Sequence, residues 1–376
     1  MKRDITPHGL PQHRFPVDPW RLVEREFSAA DLGLTETLFA VGNGYIGMRA
    51  NPEEGREAHS HGTFLNGFHE TWKIPYAEDA FGFAQTGQTI VNVPDAKLMK
   101  LFVDDEPLLV STADITQYER VVDFRAGTLT RELLWRTPAG KQVHVRSTRL
   151  VSLVHRHVAM LTMEVTLLDS AAPVVISSQL LNRQDGQDEY HVSSAALGEG
   201  LDPRRTRHFD HRVLMPRLHR ERLGEAMLGY RCANSGMTLA CGYQHIVDTS
   251  CAHEVETTAT ADLAKTVITV KATPGETIRI VKLVSYHSST GVPAQELADR
   301  CSRTLARARN EGPQQLLLEQ REWLDQFWDA SDVELRGDDN AQQAVRWNLF
   351  QLAQASACTQ EQGIGAKGVT GSGYEG

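Results

Sequence analysis

Hydrophobic and polar positions alternate along most of the chain, then switch near residue 291 to a spacing of three and four. Val143, Val145 and Ser147 alternate with Gln142, His144 and Arg146, the period of a half-buried strand. Residues 152–168 form a long apolar run rich in β-branched side chains (Val154, Val158, Thr162, Val165, Thr166) and predict a further strand. Residues 266–270 and 277–281 flank Thr273-Pro274-Gly275-Glu276, a hairpin turn; Pro138-Ala139-Gly140 and Arg125-Ala126-Gly127-Thr128 punctuate earlier strands. Residues 1 to about 35, with prolines at 7, 11, 16 and 19, read as an irregular lead-in. Many strands joined by turn chemistry predict a mainly β fold, a large antiparallel sandwich.

Beyond 291 the spacing is helical. Gly291-Val292-Pro293 opens a helix with Leu297, Cys301 and Leu305 on one face. Gly312-Pro313 opens a second, in which Leu316, Leu317, Gln320, Trp323, Leu324, Phe327 and Trp328 make a broad stripe. A third follows Gly337-Asp338-Asp339 and carries Ala341, Val345, Leu349, Leu352 and Ser356 along one side. Glycines at 363, 365, 368, 371, 373 and 376 come next. The stripe of the third helix calls for helical companions, so the chain reads as one cut off shortly after entering a helical domain.

Charge and composition exclude some functions. The 376 residues include 39 Lys+Arg and 48 Asp+Glu, a net charge of −9, which argues against nucleic acid as a main partner. No apolar run approaches the length of a membrane span, and Met1-Lys2-Arg3-Asp4 is not followed by a secretory apolar core, so a cytoplasmic location is expected. Cysteines at 232, 241, 251, 301 and 358 are widely spaced, which disfavours disulfides and closed zinc sites. Cys232, Cys241 and Cys251 with His245 and His253 can be drawn as a metal cluster; small buried hydrophobes are the preferred reading.

The candidate chemistry is sparse. Gly42-Asn43-Gly44-Tyr45-Ile46-Gly47 matches G-x-G-x-x-G, but Pro52 stands where the phosphate-binding helix would run, so a turn between strands is the better reading. Asp104-Asp105-Glu106, Asp185 with Asp188 and Glu189, and Asp338-Asp339 are acidic clusters; the first suits a turn and the last a helix cap. His155 and His157, two apart on the expected strand, would share a face. Arginines at 204, 205, 207, 212, 217, 220 and 222 make a basic stretch that suits a solvated face better than an anion site. Asn66-Gly67-Phe68-His69-Glu70-Thr71-Trp72, with Trp20, Tyr76, Glu78, Phe81 and Phe83, has the make-up of a sugar-binding surface, though core packing yields a similar set.

Three stretches carry a resemblance: Glu36-Thr37-Leu38-Phe39-Ala40-Val41-Gly42-Asn43-Gly44-Tyr45-Ile46-Gly47-Met48-Arg49, Gly62-Thr63-Phe64-Leu65-Asn66-Gly67-Phe68-His69-Glu70, and Ala366-Lys367-Gly368-Val369-Thr370-Gly371-Ser372-Gly373-Tyr374. In order and spacing the chain resembles the start of glycoside hydrolase family 65, which includes maltose, trehalose and kojibiose phosphorylases. The resemblance implies a β super-sandwich over 1–290, a helical linker over 291–335 and the beginning of a truncated (α/α)6 barrel over 336–376. It implies inverting phosphorolysis of an α-glucoside to β-glucose 1-phosphate, with inorganic phosphate as co-substrate and no cofactor. A trehalase-like hydrolase and a non-catalytic carbohydrate-binding or assembly module are the alternatives. The family's catalytic glutamate lies further along than this chain reaches, so no catalytic residue is assigned and the fragment is expected to be inactive alone. Lys367 and Tyr374 are the positions the resemblance places near the sugar pocket; Ser372 stands where the family commonly has Glu. The implied partners are a disaccharide and phosphate, with a homodimer for the full-length protein and no membrane. A cut near 290 is expected to leave a soluble sandwich, and the tail beyond 338 to be protease-sensitive.

Overall fold

In the computed structural model, the described residues are 10–74, 76, 78, 80–183, 212–360, 362–365, 367, 368, 370 and 371. The alternation at 142–147 becomes the strand Gln142–Val151, with Val143, Val145 and Ser147 buried and Gln142 and Arg146 exposed. It belongs to a ten-stranded antiparallel sheet. In spatial order its strands are Val17–Asp18, Arg21–Glu24, Asp114–Asp123, Thr128–Arg136, Gln142–Val151, Val158–Leu167, Thr277–Ser289, Thr238–Asp248, Glu225–Cys232 and Leu214–Arg222. A five-stranded sheet (His253–Ala259, Leu263–Ala272, Ala172–Leu181, Met99–Val103, Glu106–Pro107) faces it across one shared core. A four-stranded sheet (Val41–Gly42, Ile46–Met48, Thr63–Lys73, Thr86–Asn92) joins the same core. The mainly β sandwich expected from the pattern is present.

Four helices complete the described fold: α1 (Leu32–Leu38), α2 (Ala294–Glu311), α3 (Pro313–Ser331) and α4 (Asp339–Ser356). Their starts follow the sequence chemistry. Pro313 begins α3, where a missing N–H loses nothing, and the Asp338 carboxylate accepts from the Ala341 N–H at 3.0 Å to cap α4. Asp104 and Asp105 both take positive φ and form the expected turn.

Three expectations need correction. The lead-in is not irregular throughout: Arg21–Glu24 pairs with Asp114–Asp123 and extends the large sheet, because Glu24 is drawn inside by Arg14 and Arg120. The strand expected over 152–168 begins only at Val158. Ser152 Oγ accepts the N–H groups of Val154 (3.3 Å) and His155 (2.9 Å) and folds residues 152–157 into a turn. His155 and His157 therefore do not share a strand face. Finally, the α4 stripe turns differently. Gln342, Arg346, Phe350 and Ala353 are buried, whereas Leu352 is 61% exposed.

The large sheet is apolar on both faces. On Thr277–Ser289, Ile278, Ile280 and Val284 point into the sandwich, while Val281 and Leu283 point outward. The outward set, with Leu150, Met160, Met227 and Ala240, is covered by Leu297, Ala298, Cys301 and Leu305 of α2. So α2 is part of the sandwich's packing even though the hydrophobic period changes before it.

Ions lie between the sheets. Arg149, 1% exposed, donates to the carbonyls of Arg49 (2.8 Å) and Asn51 (3.0 Å) and to Glu53 (3.1 Å). Arg131 grips Glu54 in a bidentate pair at 2.9 and 2.6 Å. Lys97 pairs with Asp95 at 2.8 Å, and Lys282 reaches from the large sheet to the carbonyls of Ala96 and Gln179, both at 2.6 Å. Burial is the main influence on both lysines and brings Lys97 down to about 8 and Lys282 to about 7, against the pull of Asp95.

The packing of α2 changes the expectation for a cut near 290. A chain ending there bares the outer apolar face, and we expect it to bind a hydrophobic dye and to self-associate. Extension to 331 should restore a monodisperse, dye-negative protein. A cleanly folded, dye-negative 1–290 piece would show that α2 is dispensable.

Candidate functional site

The Gly42-Asn43-Gly44 hairpin is a receptor for the C-terminal end of α4. Asn43 Oδ1 accepts from the N–H groups of Tyr45 (3.0 Å) and Ile46 (2.8 Å), which closes the turn. Its Nδ2 donates to the carbonyls of Ser152 (2.7 Å) and Arg156 (3.1 Å). The Gly42 N–H donates to Gln354 Oε1 at 2.8 Å, and the Cys358 N–H to the Asn43 carbonyl at 2.7 Å. Gly44 has φ +85°, and a Cβ there would stand 2.7 Å from the Ala355 carbonyl oxygen. No helix N-terminus follows these glycines, so the turn reading holds and the phosphate-loop reading does not.

The same small sheet carries the glycine-rich segment. Asn66 Nδ2 bridges the Gly44 carbonyl (2.9 Å) and the Gly363 carbonyl (2.8 Å). Arg49 Nη1 donates to the Thr370 carbonyl at 3.0 Å, while Nη2 meets Glu36 at 3.3 Å. Lys367 sits in a turn in which the Gly368 N–H bonds the Gly365 carbonyl (2.9 Å) and the Thr370 N–H bonds the Lys367 carbonyl (3.1 Å). Its side chain is exposed. Tyr374 and Ser372 lie outside the described residues. Thus Lys367 is presented at the rim of the platform, on backbone held by Asn66 and Arg49. Sequence reasoning missed those two anchors, yet Asn43-Gly44 and Asn66-Gly67 are both Asn-Gly pairs, the one local signal of tight turns near a close approach.

Most of the aromatic candidates are spoken for. Phe68 is fully buried, and Glu70 accepts the N–H groups of Asn234 (3.0 Å) and Ser235 (2.6 Å). The Trp20 ring contacts Trp328 edge-on at 5.2 Å and stacks with Arg125 (3.9 Å) and Arg346 (3.7 Å), which ties α3 and α4 to the sandwich edge. Phe81 and Phe83 remain exposed, with Tyr76 against Phe83 at 4.9 Å.

The other candidates divide into structural roles and new neighbours. Asp185, Asp188, Glu189, Arg204, Arg205 and Arg207 lie outside the described residues. Arg212 pairs with Asp262, and Arg220 with Asp299 at 3.0 Å. All five cysteines are free and buried, and among the described residues the drawn Cys/His cluster is not assembled. His157 stacks on His287 with centroids 3.8 Å apart, and its Nδ1 lies 2.8 Å from the Tyr286 carbonyl. Tyr45, pushed up to about 12 by burial, lies edge-on to His157 and bonds Ser288 Oγ at 2.9 Å. Among the described residues, four carboxylates are held below their ordinary range. Arg131 and Arg149 outweigh burial at Glu53, and Lys97 and His61 outweigh it at Asp95. A Gln315 hydrogen bond leads at Glu319, and Arg346 at Asp332. That direction is opposite to the one a general acid needs.

Burial lowers His245 to about 3, helped by the charge of Lys282, and is likewise the main cause that lowers His157 to about 4 and His287 to about 3. Their unfolded values lie near 6.5. Below that pH the unfolded chain takes up protons that the native one refuses, so stability present at neutral pH is lost as the pH falls toward 4. At pH 5 the fully buried His245 alone accounts for about 2 kcal/mol. Denaturant midpoints at pH 7.5 and 5.0 should show this drop, and His245→Gln should flatten it; equal midpoints would contradict the burial argument. Gly44→Ala should destabilise the protein by about 1–3 kcal/mol and speed proteolysis beyond residue 338. Gly140→Ala, at φ +85° with open space around it, is the control that carries the conformational strain without the contact.

Comparison with known proteins adds the following. Residues 22–327 match the family model "Glycosyl hydrolase family 65, N-terminal domain". An uncharacterized glycosyl hydrolase of Mycobacterium tuberculosis is 41% identical over 98% of this chain and 45% of its own length. An alpha,alpha-trehalose phosphorylase of Thermoanaerobacter brockii is 31% identical over 96% of this chain and 46% of its own. A solved structure of a putative kojibiose phosphorylase from the human microbiome superposes with a TM-score of 0.81 at 19% identity, over 96% of this chain and 45% of that one. The chain spans about half the length of the curated relatives it matches, 45% and 46% in these two cases.

Proposed function

Because this chain belongs to glycosyl hydrolase family 65, we propose that it forms the sandwich, linker and first barrel helix of an inverting disaccharide phosphorylase. The acid-bearing part of the barrel would lie in polypeptide outside these 376 residues. The reaction would use one carboxylic acid to protonate the departing glycosidic oxygen while inorganic phosphate attacks the opposite face of the sugar, yielding β-glucose 1-phosphate and a free sugar. Phosphate takes the place of the base-activated water of an inverting hydrolase, so a single catalytic carboxyl suffices.

The observation that carries this reading is the seating of the glycine-rich segment. The Asn43 carbonyl accepts from the Cys358 N–H, Asn66 and Arg49 donate to the carbonyls of Gly363 and Thr370, and Lys367 is exposed between the last two points. The sandwich would thus act as a platform that fixes one wall of a sugar pocket, with Lys367 and Tyr374 as its substrate-side positions. Exposed apolar side chains support helical companions: Leu352 on α4 and Ile364 after it are 61% and 59% exposed. The names of trehalose and kojibiose phosphorylases among the relatives favour phosphate as the acceptor, while the glycosyl hydrolase names favour water.

The 376-residue chain should release no glucose 1-phosphate from maltose, trehalose or kojibiose with phosphate present; turnover above background from pure material would refute the division of labour. In a longer polypeptide carrying the barrel, phosphate-dependent release of β-glucose 1-phosphate identifies the phosphorylase, and phosphate-independent release of glucose identifies the hydrolase. Lys367→Ala in that protein should raise KM severalfold with an unchanged melting temperature. An unchanged KM would remove Lys367 from the pocket.

A further inference from the structure

The Ser152 turn of the sandwich meets the junction of the two linker helices, more than 150 residues further along the chain. The Ser152 turn supplies His155, the last residue of α2 is Glu311, and Glu319 lies within the second turn of α3. His155 Nε2 stands 2.7 Å from Glu319 Oε2 and 3.6 Å from Glu311 Oε2, and the three donor atoms lie within 4.8 Å of one another. One imidazole N–H can serve only one of two carboxylates, so the carboxylate oxygens that face His155 outnumber the hydrogen it can offer them. The geometry points to a divalent-cation site of the zinc type formed by His155, Glu311 and Glu319.

Donors around four-coordinate zinc, each about 2.0–2.1 Å from the metal, stand roughly 3.3 Å apart. The distances of 2.7 and 3.6 Å bracket that separation, and rotation of the two glutamate side chains would bring the three donors, now within 4.8 Å of one another, to it. A neutral imidazole and two carboxylates bring a charge of about −2, which a divalent cation neutralises. The backbone that carries the histidine is fixed by its main-chain N–H, which donates to Ser152 Oγ at 2.9 Å. Gln315 Nε2 donates to Glu319 Oε1 at 2.9 Å and holds that carboxylate by its other oxygen, the kind of outer support that metal-binding carboxylates use. A cleft of about 220 Å³ lined by His155, Glu311, Thr304 and Arg307 adjoins two of the three donors and leaves room for a water or small anion as the fourth ligand. Arg307 and Arg156 also line this cleft, and their positive charge opposes that of a bound cation. Bound metal would staple the sandwich turn to both linker helices.

The test uses the tag-free 376-residue chain, stripped with chelator and titrated with Zn²⁺ alone by calorimetry and thermal melting. One equivalent should bind with micromolar affinity and raise the melting temperature by a few degrees. His155→Ala and Glu319→Gln, both at partly exposed positions, should each weaken binding at least tenfold while the unliganded melt stays close to that of the parent. Cobalt in place of zinc should give visible d–d absorption that His155→Ala abolishes. Absence of binding up to millimolar zinc would overturn the proposal. So would binding that survives His155→Ala, since the metal would then sit elsewhere.

Discussion

A ten-stranded sheet with apolar side chains on both faces must be covered twice, and this requirement organises the molecule. Strands buried on both faces lose the simple alternation of in and out, which is why Val158–Leu167 and Thr277–Ser289 read as almost continuous apolar runs. One cover is the five-stranded sheet, the other is α2. The boundary between β and helical sequence near 291 is therefore a boundary of pattern and not of packing.

Inside the sandwich, charge is used as a spacer between sheets. Arg149, Arg131, Lys97 and Lys282 are all buried, and each meets carboxylates or carbonyls from another segment of chain, Lys97 through the Gly62 carbonyl. Removing one partner from such a set strands an ion in a poorly polarisable medium, at a cost of several kcal/mol, so the segments that bear the partners are held in one register. Residues 49–55 are the clearest case. Their backbone carbonyls and the paired Glu53 and Glu54 are gripped by arginines from two neighbouring strands. The same loop supplies Arg49, which holds Thr370, so the ionic interior and the glycine-rich segment are mechanically linked.

The platform under that segment depends on close backbone approach. Gly44 lets the carbonyl end of α4 come within a distance that any side chain would block, and Asn43 and Asn66 convert the proximity into hydrogen bonds. The helix packs on the sandwich through the face that carries Gln342, Arg346, Phe350 and Ala353. Leu352 lies off that face and is open, while Phe350 two residues earlier packs against Phe124 at 5.5 Å. The arrangement suits a support for further helices, in keeping with membership of glycosyl hydrolase family 65.

Local chemistry was readable from the amino acids alone. The alternation at 142–147, the Pro274-Gly275 turn, the Pro313 start and the Asp338 cap are short-range effects, set by side-chain period, φ restriction and a carboxylate near free N–H groups. Motifs at 36–49, 62–70 and 366–374 carried the family for the same reason, since each is a contiguous run. What the sequence could not decide was every contact between distant segments. That Arg149 meets Glu53, that α4 buries Gln342 and Arg346 rather than Leu352, and that His155 meets Glu311 and Glu319 all depend on strand register and helix docking. A one-residue slip in register or a modest turn of a helix would present different side chains, so these partnerships exist only once the sheets and helices have packed.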